Sequence, residues 1–170
     1  RIAMLERELI PTKPRTPREK DDQADKIRDD YFTASKKWEI SRDAYAGILA
    51  AAAKPSAAGD VTLIYGFMQL TDPGAIVREE DFAKVAMAGS YGQKIQTLVQ
   101  QAISGEKLLP DVRADFVDQA RRKFQEIKTT QTEREVTYKQ IAKRRDLDES
   151  AAVPDVLGRF RKDEERPKPN

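Results

Sequence analysis

The chain has 170 residues and a nearly balanced charge, with 31 lysines and arginines against 29 aspartates and glutamates. It has neither cysteine nor histidine, which excludes disulfide bonds, zinc sites of the usual composition, cysteine nucleophiles and a Ser-His-Asp triad. A net charge of +2 argues against a strongly basic nucleic-acid binder, and no apolar run reaches the roughly 20 residues of a membrane span.

Residues 1–21 are predicted to be an N-terminal segment followed by a basic, proline-rich linker. Prolines at positions 11, 14 and 17 favour an extended, polyproline-like chain. A plain spacer is the first interpretation, and a basic arm that grips nucleic acid or a partner is the alternative. Because the sequence begins with Arg1 and shows no signal-peptide pattern, we expect it to be a piece of a longer protein.

A long amphipathic helix is predicted from about 22 to 54. Its apolar residues fall into two sets spaced seven apart, which is the 3–4 alternation of a coiled-coil seam. The sets are Ala24, Tyr31, Trp38, Tyr45 and Ala52, and Ile27, Ala34, Ser41 and Ile48. We expect the large aromatic members to be core residues rather than a platform for nucleic-acid bases. Pro55 ends the helix.

The first of three predicted short helices covers residues 57–72. It is apolar on most faces, which is typical of a buried helix or of one that gives half its surface to a partner. Asp60 lies near its start, where the helix dipole favours negative charge. A turn at Asp72-Pro73-Gly74 ends it.

The second and third short helices are predicted at about 78–88 and about 91–104. Glu79, Glu80 and Asp81 begin the second helix. A catalytic carboxylate needs a pKa raised by burial, whereas unpaired backbone N–H groups at a helix start explain these acids sufficiently. We therefore predict no catalytic residues, no metal site and no cofactor, and we do not expect an enzyme.

The longest predicted helix runs from Pro110 to about 147, with polar residues interrupting its seam. Its two sets of positions are Val117, Phe124, Gln131, Tyr138 and Arg145, and Ala120, Ile127, Arg134 and Ile141. Buried polar residues at such positions weaken a coiled coil but fix its register.

The two long helices are predicted to pair antiparallel. Aspartates crowd the start of the first helix, and lysines and arginines crowd the end of the last, so antiparallel packing brings opposite charges together. This register places Ala52 near Val117, Trp38 near Gln131 and Tyr31 near Tyr138. The sequence thus predicts an all-α fold, a coiled-coil-like hairpin of two long antiparallel helices capped by three short ones. Residues 22–147 form the helical domain, and residues 148–170 form a polar C-terminal tail.

Two groups of residues are candidate contacts. Phe67, Met68, Val77 and Arg78 are predicted to meet a partner at the cap. Lys139, Arg144 and Arg145 are predicted to meet a partner or a phosphate, because the last helix carries a basic excess. A solvated helix face, paired partly with acids of the first helix, is the competing interpretation of these bases.

Residues 58–125 carry a family resemblance in four strings. These are "AGD" from Ala58, "LIYGFMQLTDPGAIVREEDFA" from Leu63, "AG" from Ala88 and "SGEKLLPDVRADFVDQA" from Ser104. Together they resemble a segment of tailed-bacteriophage virion proteins with an acid, an apolar helix, "MxxLDPxSVVREGEFA" and "LxPxxRxDF". Thr71, Ala75 and Glu80 depart mildly from that pattern.

The resemblance implies a structural protein of a phage particle, of the internal-virion or DNA-ejection type, located in the virion. Its partners would be other copies of itself and other virion proteins, with DNA contact left open, no small-molecule substrate, and membrane contact only through a larger assembly. The resemblance supplies no catalytic residue. Two alternatives remain: a helical nucleic-acid-binding module, and a non-catalytic segment of a phage cell-wall lytic enzyme.

Overall fold

The computed structural model describes residues 15–73 and 93–158. These ranges contain α1 (Pro17–Ala53), α2 (Ala57–Thr71), α3 (Gln93–Ile103), α4 (Pro110–Arg144) and α5 (Glu149–Ala152), and they contain no β-strand. The predicted all-α class is confirmed. Two of the three predicted short helices are present as α2 and α3, and the predicted helix at 78–88 lies outside the described residues.

The chain divides into two compact units, and the long helices α1 and α4 contribute to both. The first unit joins Arg1–Tyr31 with Glu135–Val156, and the second unit joins Phe32–Arg134 with Leu157–Asn170. In each unit the α1 segment packs against the α4 segment.

Helix α1 begins at Pro17, five residues before the predicted start. Thr16 and Glu19 form a capping box, in which the Thr16 N–H donates to Glu19 Oε2 at 2.7 Å and the Glu19 N–H donates to Thr16 Oγ1 at 3.2 Å. Pro17 stands at the first helical position, where its missing N–H removes no hydrogen bond. The Thr16 backbone bond also lowers the pKa of the Glu19 carboxyl. Residues 17–21 therefore belong to the helix and not to the linker.

In the second unit, α1 and α4 run antiparallel around an aromatic stack. The Phe124 ring lies between two rings of α1, with centroids 4.2 Å from Tyr45 and 5.3 Å from Trp38. Further back along α1, Ser35 accepts a hydrogen bond from Gln131 Nε2 at 2.9 Å. Because advancing along α1 from Ser35 to Tyr45 moves backward along α4, the chain directions are opposite. Trp38 packs on Phe124, and the predicted proximity of Trp38 to Gln131 stays a prediction.

Burial along α4 follows an 11-residue spacing rather than the predicted seven-residue spacing. Six of the eight buried positions of α4 form two such series, Arg113, Phe124 and Glu135, and Ala120, Gln131 and Ala142, and the other two are Phe116 and Lys128. A straight helix with 3.6 residues per turn drifts about 20° per heptad, whereas 11 residues fit three turns closely. Arg145, predicted in the seam, lies just beyond the end of α4 and is exposed, while Gln131 is buried as the sequence predicts.

Helix α2 packs closely on α1 through a glycine. A Cβ on Gly66 would lie 2.8 Å from Ile48 Cγ1 and 3.1 Å from the Ala44 carbonyl oxygen, so no larger residue fits without a shift. Leu63 and Ile64 are fully buried beside it. The Ser56 hydroxyl caps α2 by accepting the Gly59 N–H at 3.0 Å. Helix α2 is thus fixed directly on the second half of α1.

The first unit has its own apolar core, which includes residues beyond the predicted end of the helical domain. Its buried members are Ala24, Ile27, Tyr31, Ala142, Leu147, Ala152 and Val153. The Tyr31 and Tyr138 rings lie 5.4 Å apart, which confirms that predicted pair. Asp148 caps α5, and this short helix places Ala152 and Val153 in the core. Residues 148–153, predicted as part of a polar tail, are therefore packed structure.

Candidate functional site

A buried ion pair joins the start of α2 to the start of α4. Arg113 Nε donates to Asp60 Oδ1 and Arg113 Nη2 donates to Asp60 Oδ2, each at 2.8 Å. The Leu108 N–H donates to Asp60 Oδ2 at 2.8 Å, and the Leu108 carbonyl accepts from Arg113 Nη2 at 3.4 Å. Asp60 is 1% exposed and Arg113 is 9% exposed. The two opposite charges thus neutralise each other, and their hydrogen bonds to the Leu108 backbone also fix the loop between α3 and α4.

The sequence alone predicts a simpler role for Asp60, as an acid favoured by the helix dipole. It does lie in the first turn of α2, but Ser56 is the capping residue. The signal that could have found the ion pair is the combination of Asp60 and Arg113, because both are unusual charges for positions flanked by apolar residues. We call Asp60, Leu108 and Arg113 the Asp60 cluster.

The Asp60 cluster lies within the strings that carry the phage resemblance. Asp60 belongs to the first string, and Leu108 and Arg113 belong to "LxPxxRxDF". Phe116 closes that last string, and its ring meets the edge of Phe67 from the apolar helix, with centroids 5.1 Å apart and planes at 83°. Residues that are distant in the sequence but part of one pattern are therefore in direct contact.

The chemistry of the Asp60 cluster is that of a structural tie. The hydrogen bond and the charge of Asp60 raise the pKa of the Arg113 guanidinium, so Arg113 stays protonated. The Asp60 carboxylate accepts all three of these 2.8 Å hydrogen bonds from groups of the chain itself, two from Arg113 and one from Leu108. Within residues 15–73 and 93–158, every buried side-chain nitrogen and oxygen has a partner, and no acidic cluster is suited to a metal ion.

The candidate contacts at the cap differ in their accessibility. Phe67 is half-buried and lines a cleft of about 230 Å³ with the following residues: Ile95, Leu98, Val112, Asp115, Phe116 and Gln119. Met68 is 2% exposed, so it belongs to the core and is closed to a partner. Val77 and Arg78 lie outside the described residues, as do Glu79, Glu80 and Asp81.

The candidate contacts on α4 also differ. Lys139 Nζ donates to Glu135 Oε1 at 2.6 Å, so its charge is partly neutralised by a carboxylate that is itself buried. Arg144 and Arg145 are exposed at the end of α4, where positive charge complements the helix dipole. These two arginines remain accessible to a partner or to a phosphate.

Other basic residues of α4 pair with acids of the same helix. Arg121 and Arg122 both meet Asp118, and Lys123 donates to Glu126 at 3.0 Å. Such pairs three or four residues apart are typical of a solvated helix face. In the first unit, Lys20 near the start of α1 pairs with Asp146 at 2.5 Å. The base is on α1 and the acid follows α4, which is the reverse of the predicted arrangement of charge.

No family model matches the chain, and comparison with curated proteins and with solved structures gives no match. The resemblance to phage virion proteins therefore stays a prediction. Among the helices of the described ranges, none is both long enough and apolar enough to cross a membrane.

Proposed function

We propose that this chain is a non-catalytic structural module of a tailed-phage particle, which assembles with copies of itself and with other virion proteins by helical packing. It would act in the tail or internal core, in association with genome ejection. The observation that carries the proposal is the Asp60 cluster together with the Phe67–Phe116 contact. These contacts make the string that resembles phage proteins one packed element rather than scattered surface matches.

The physical design also supports a mechanical role. α1 and α4 have 37 and 35 residues, and each is held along its length by aromatic, apolar and buried polar contacts with the other within a unit. Helices of this length bury one stripe and leave a long outer surface for neighbours. An extended helix surface suits repetitive assembly better than it suits a small-molecule substrate, which needs a concave pocket.

The test is to find the protein in particles. Phage growth would be induced in the source organism, particles would be purified on a density gradient, and their peptides would be identified by mass spectrometry. We expect peptides of this chain to remain with the particles after high-salt washing. Peptides that occur only in the soluble lysate would overturn the proposal. The same spectra would show whether a lytic domain belongs to the parent chain.

A second candidate function, contact with DNA, is favoured by the exposed pair Arg144 and Arg145. A mobility-shift titration at several salt concentrations would compare the wild type with Arg144→Gln/Arg145→Gln. If these residues contact phosphates, the double variant lowers the salt slope by about two. Arg121→Gln/Arg122→Gln is the matched control, since those arginines already pair with Asp118. An equal effect in both variants, or no binding, would argue against this site.

A further inference from the structure

The end of α4 is closed by a backbone turn that is usually built on glycine. The Asp146 N–H donates to the Lys143 carbonyl at 3.0 Å, and the Leu147 N–H donates to the Ala142 carbonyl at 3.1 Å. These two bonds form a Schellman motif, in which the first residue beyond the helix cap takes a left-handed conformation. That residue is Asp146, with a φ of 54°, and in the described part of the chain it is the one non-glycine residue with a positive φ.

The left-handed conformation of Asp146 stores strain. Elsewhere the chain uses glycine for this conformation, at Gly105 after α3 with a φ of 91° and at Gly158 with a φ of 50°. Aspartate tolerates it better than most residues do, but only glycine adopts it without a penalty. Strain at one position that the rest of the structure maintains is a sound starting point for a functional hypothesis.

The polar contacts that hold the turn are on the surface. Lys20 pairs with Asp146, and their side chains are 38% and 89% exposed. Arg15, which is exposed as well, donates to the Arg145 carbonyl at 2.7 Å. Exposed ion pairs contribute little to stability and are weakened by salt. These contacts therefore offset only part of the strain.

The turn directs residues 147–156, which we call the Leu147 arm, back onto α1 and α4 of the first unit. The arm is held by its own apolar side chains, and Arg28 Nη1 also donates to the Ala151 carbonyl at 3.3 Å. The buried residues of this core are Leu147, Ala152 and Val153 from the arm, and Ala24, Ile27, Tyr31 and Ala142 from the long helices. The surface that receives the arm is thus defined by a segment that fits it.

The sequence of the turn is also compatible with a continuous helix. Residues 145–153 contain neither glycine nor proline, and the first helix breaker is Pro154. Since α5 is already helical, only residues 145–148 interrupt the helix between α4 and α5. If Asp146 takes the ordinary helical conformation, α4 continues to about Val153 and the strain is released. The Leu147 arm then leaves the core of its own copy.

We propose that the Leu147 arm is exchanged between two copies of this chain, with Asp146 as the hinge. In the exchanged dimer α4 runs straight through Asp146, and the arm of each copy packs on α1 of the other. The arm makes the same apolar contacts in both forms, so the balance depends on the hinge and on protein concentration. A short hinge under strain is the feature that favours such an exchange.

The exchange rests on the proposed function only in serving its self-assembly, and its test is separate. It is measured on the purified chain, whereas the phage assignment is measured on particles, so one can fail while the other stands. The chain would be refolded from urea at several protein concentrations, and monomer and dimer separated by size-exclusion chromatography with light scattering. The dimer fraction should rise with the concentration during refolding. A chain that is monomeric after every refolding overturns the proposal.

Two variants of the hinge differ only in backbone preference. Asp146→Gly and Asp146→Ala both remove the pair with Lys20. Glycine accepts a positive φ and is poor in a helix, whereas alanine is disfavoured at a positive φ and is the best helix former. The dimer association constant of Asp146→Ala should therefore exceed that of Asp146→Gly by at least about tenfold. Equal dimer fractions in the two variants would exclude Asp146 as the hinge.

Gly105→Ala is the matched control for strain in general. It places a side chain at another left-handed position, the end of α3, where no arm is released. We expect its dimer fraction to equal that of the wild type. An increase as large as that in Asp146→Ala would mean that destabilisation alone causes the association, and the proposal would be wrong.

Energy transfer between dyes identifies the exchanged segment. The chain has no cysteine, so Asp29→Cys on α1 and Ala151→Cys on the arm can be labelled specifically, and both positions are exposed. A monomer with both labels gives the efficiency for a docked arm. Mixed dimers of a donor-labelled Ala151→Cys copy and an acceptor-labelled Asp29→Cys copy should reach the same efficiency, after correction for dimers of like copies. Mixed dimers with clearly lower transfer would show association through another surface and overturn the exchange.

Discussion

Arg113 holds Asp60 through two parallel hydrogen bonds of 2.8 Å, and so joins the first turn of α4 to the first turn of α2. The pair is almost removed from water, with side chains that are 11% and 1% exposed. Two buried charges are tolerated here because each is neutralised and because Leu108 satisfies a further lone pair of the carboxylate.

Removal of one charge of this pair should be costly. Asp60→Asn leaves the Arg113 guanidinium buried without a counter-charge, and we expect the free energy of unfolding to fall by about 3–5 kcal/mol. Urea denaturation measures the loss. The matched variant Asp60→Leu/Arg113→Met removes both charges and should cost less than either single change. A loss below about 1 kcal/mol in Asp60→Asn would show that the pair is not a structural tie.

Gly66 and Gly47 are both in helices but should respond oppositely to alanine. Gly66→Ala places a methyl group 2.8 Å from Ile48 Cγ1, and we expect a destabilisation of about 1–3 kcal/mol. Gly47→Ala places its methyl group in open space, and its better helix propensity should add about 0.5–1 kcal/mol. Thermal unfolding of the two variants side by side tests this, and equal shifts would contradict the close packing of α2 on α1.

The aromatic stack predicts a local optical signal. Phe124→Ala removes the ring between Tyr45 and Trp38, and we expect a loss of about 3–5 kcal/mol in the free energy of unfolding. Because Trp38 is the one tryptophan, its fluorescence and near-ultraviolet circular dichroism report on this contact. Val136→Ala is the control on the same helix, since Val136 is 50% exposed and should change stability by less than about 0.5 kcal/mol.

Two exposed carboxylates of the first unit should titrate below their usual range. A hydrogen bond from Lys20 is the main cause of the lowered pKa of Asp146, and the Ser150 hydroxyl is the main cause for Asp148. Because the folded pKa values are lowered from 3.8, these groups stabilise the fold fully above that value. The contribution disappears as the pH falls through the lower folded pKa.

Carboxyl carbon shifts in an NMR titration would measure both groups. Lys20→Met should return the pKa of Asp146 towards 3.8 while that of Asp148 remains lowered. Ser150→Ala should raise the pKa of Asp148 only part of the way, because the backbone N–H of Ala151 still donates to it, and should leave Asp146 unchanged. A common shift of both groups in either variant would exclude the separate local causes.

The sequence by itself determined the helices, because helix formation depends on signals that lie close together along the chain. Seven-residue apolar spacing predicted α1, and Pro55, Gly105 and Pro110 marked helix ends and starts that the structure shows. The Thr16–Glu19 capping box was also present in the sequence and would have corrected the start of α1. The contact between Tyr31 and Tyr138 followed from the antiparallel register alone.

Only the tertiary structure decided which residues meet across those helices. The pairing of Asp60 with Arg113 joins positions 53 residues apart, and the stacking of Phe124 between Trp38 and Tyr45 joins two different helices. Burial of Ala152 and Val153 likewise depends on a core formed with residues of α1 and α4, which are distant in the sequence. Such contacts depend on the distance and direction of side chains after packing, and periodicity within one segment does not contain that information.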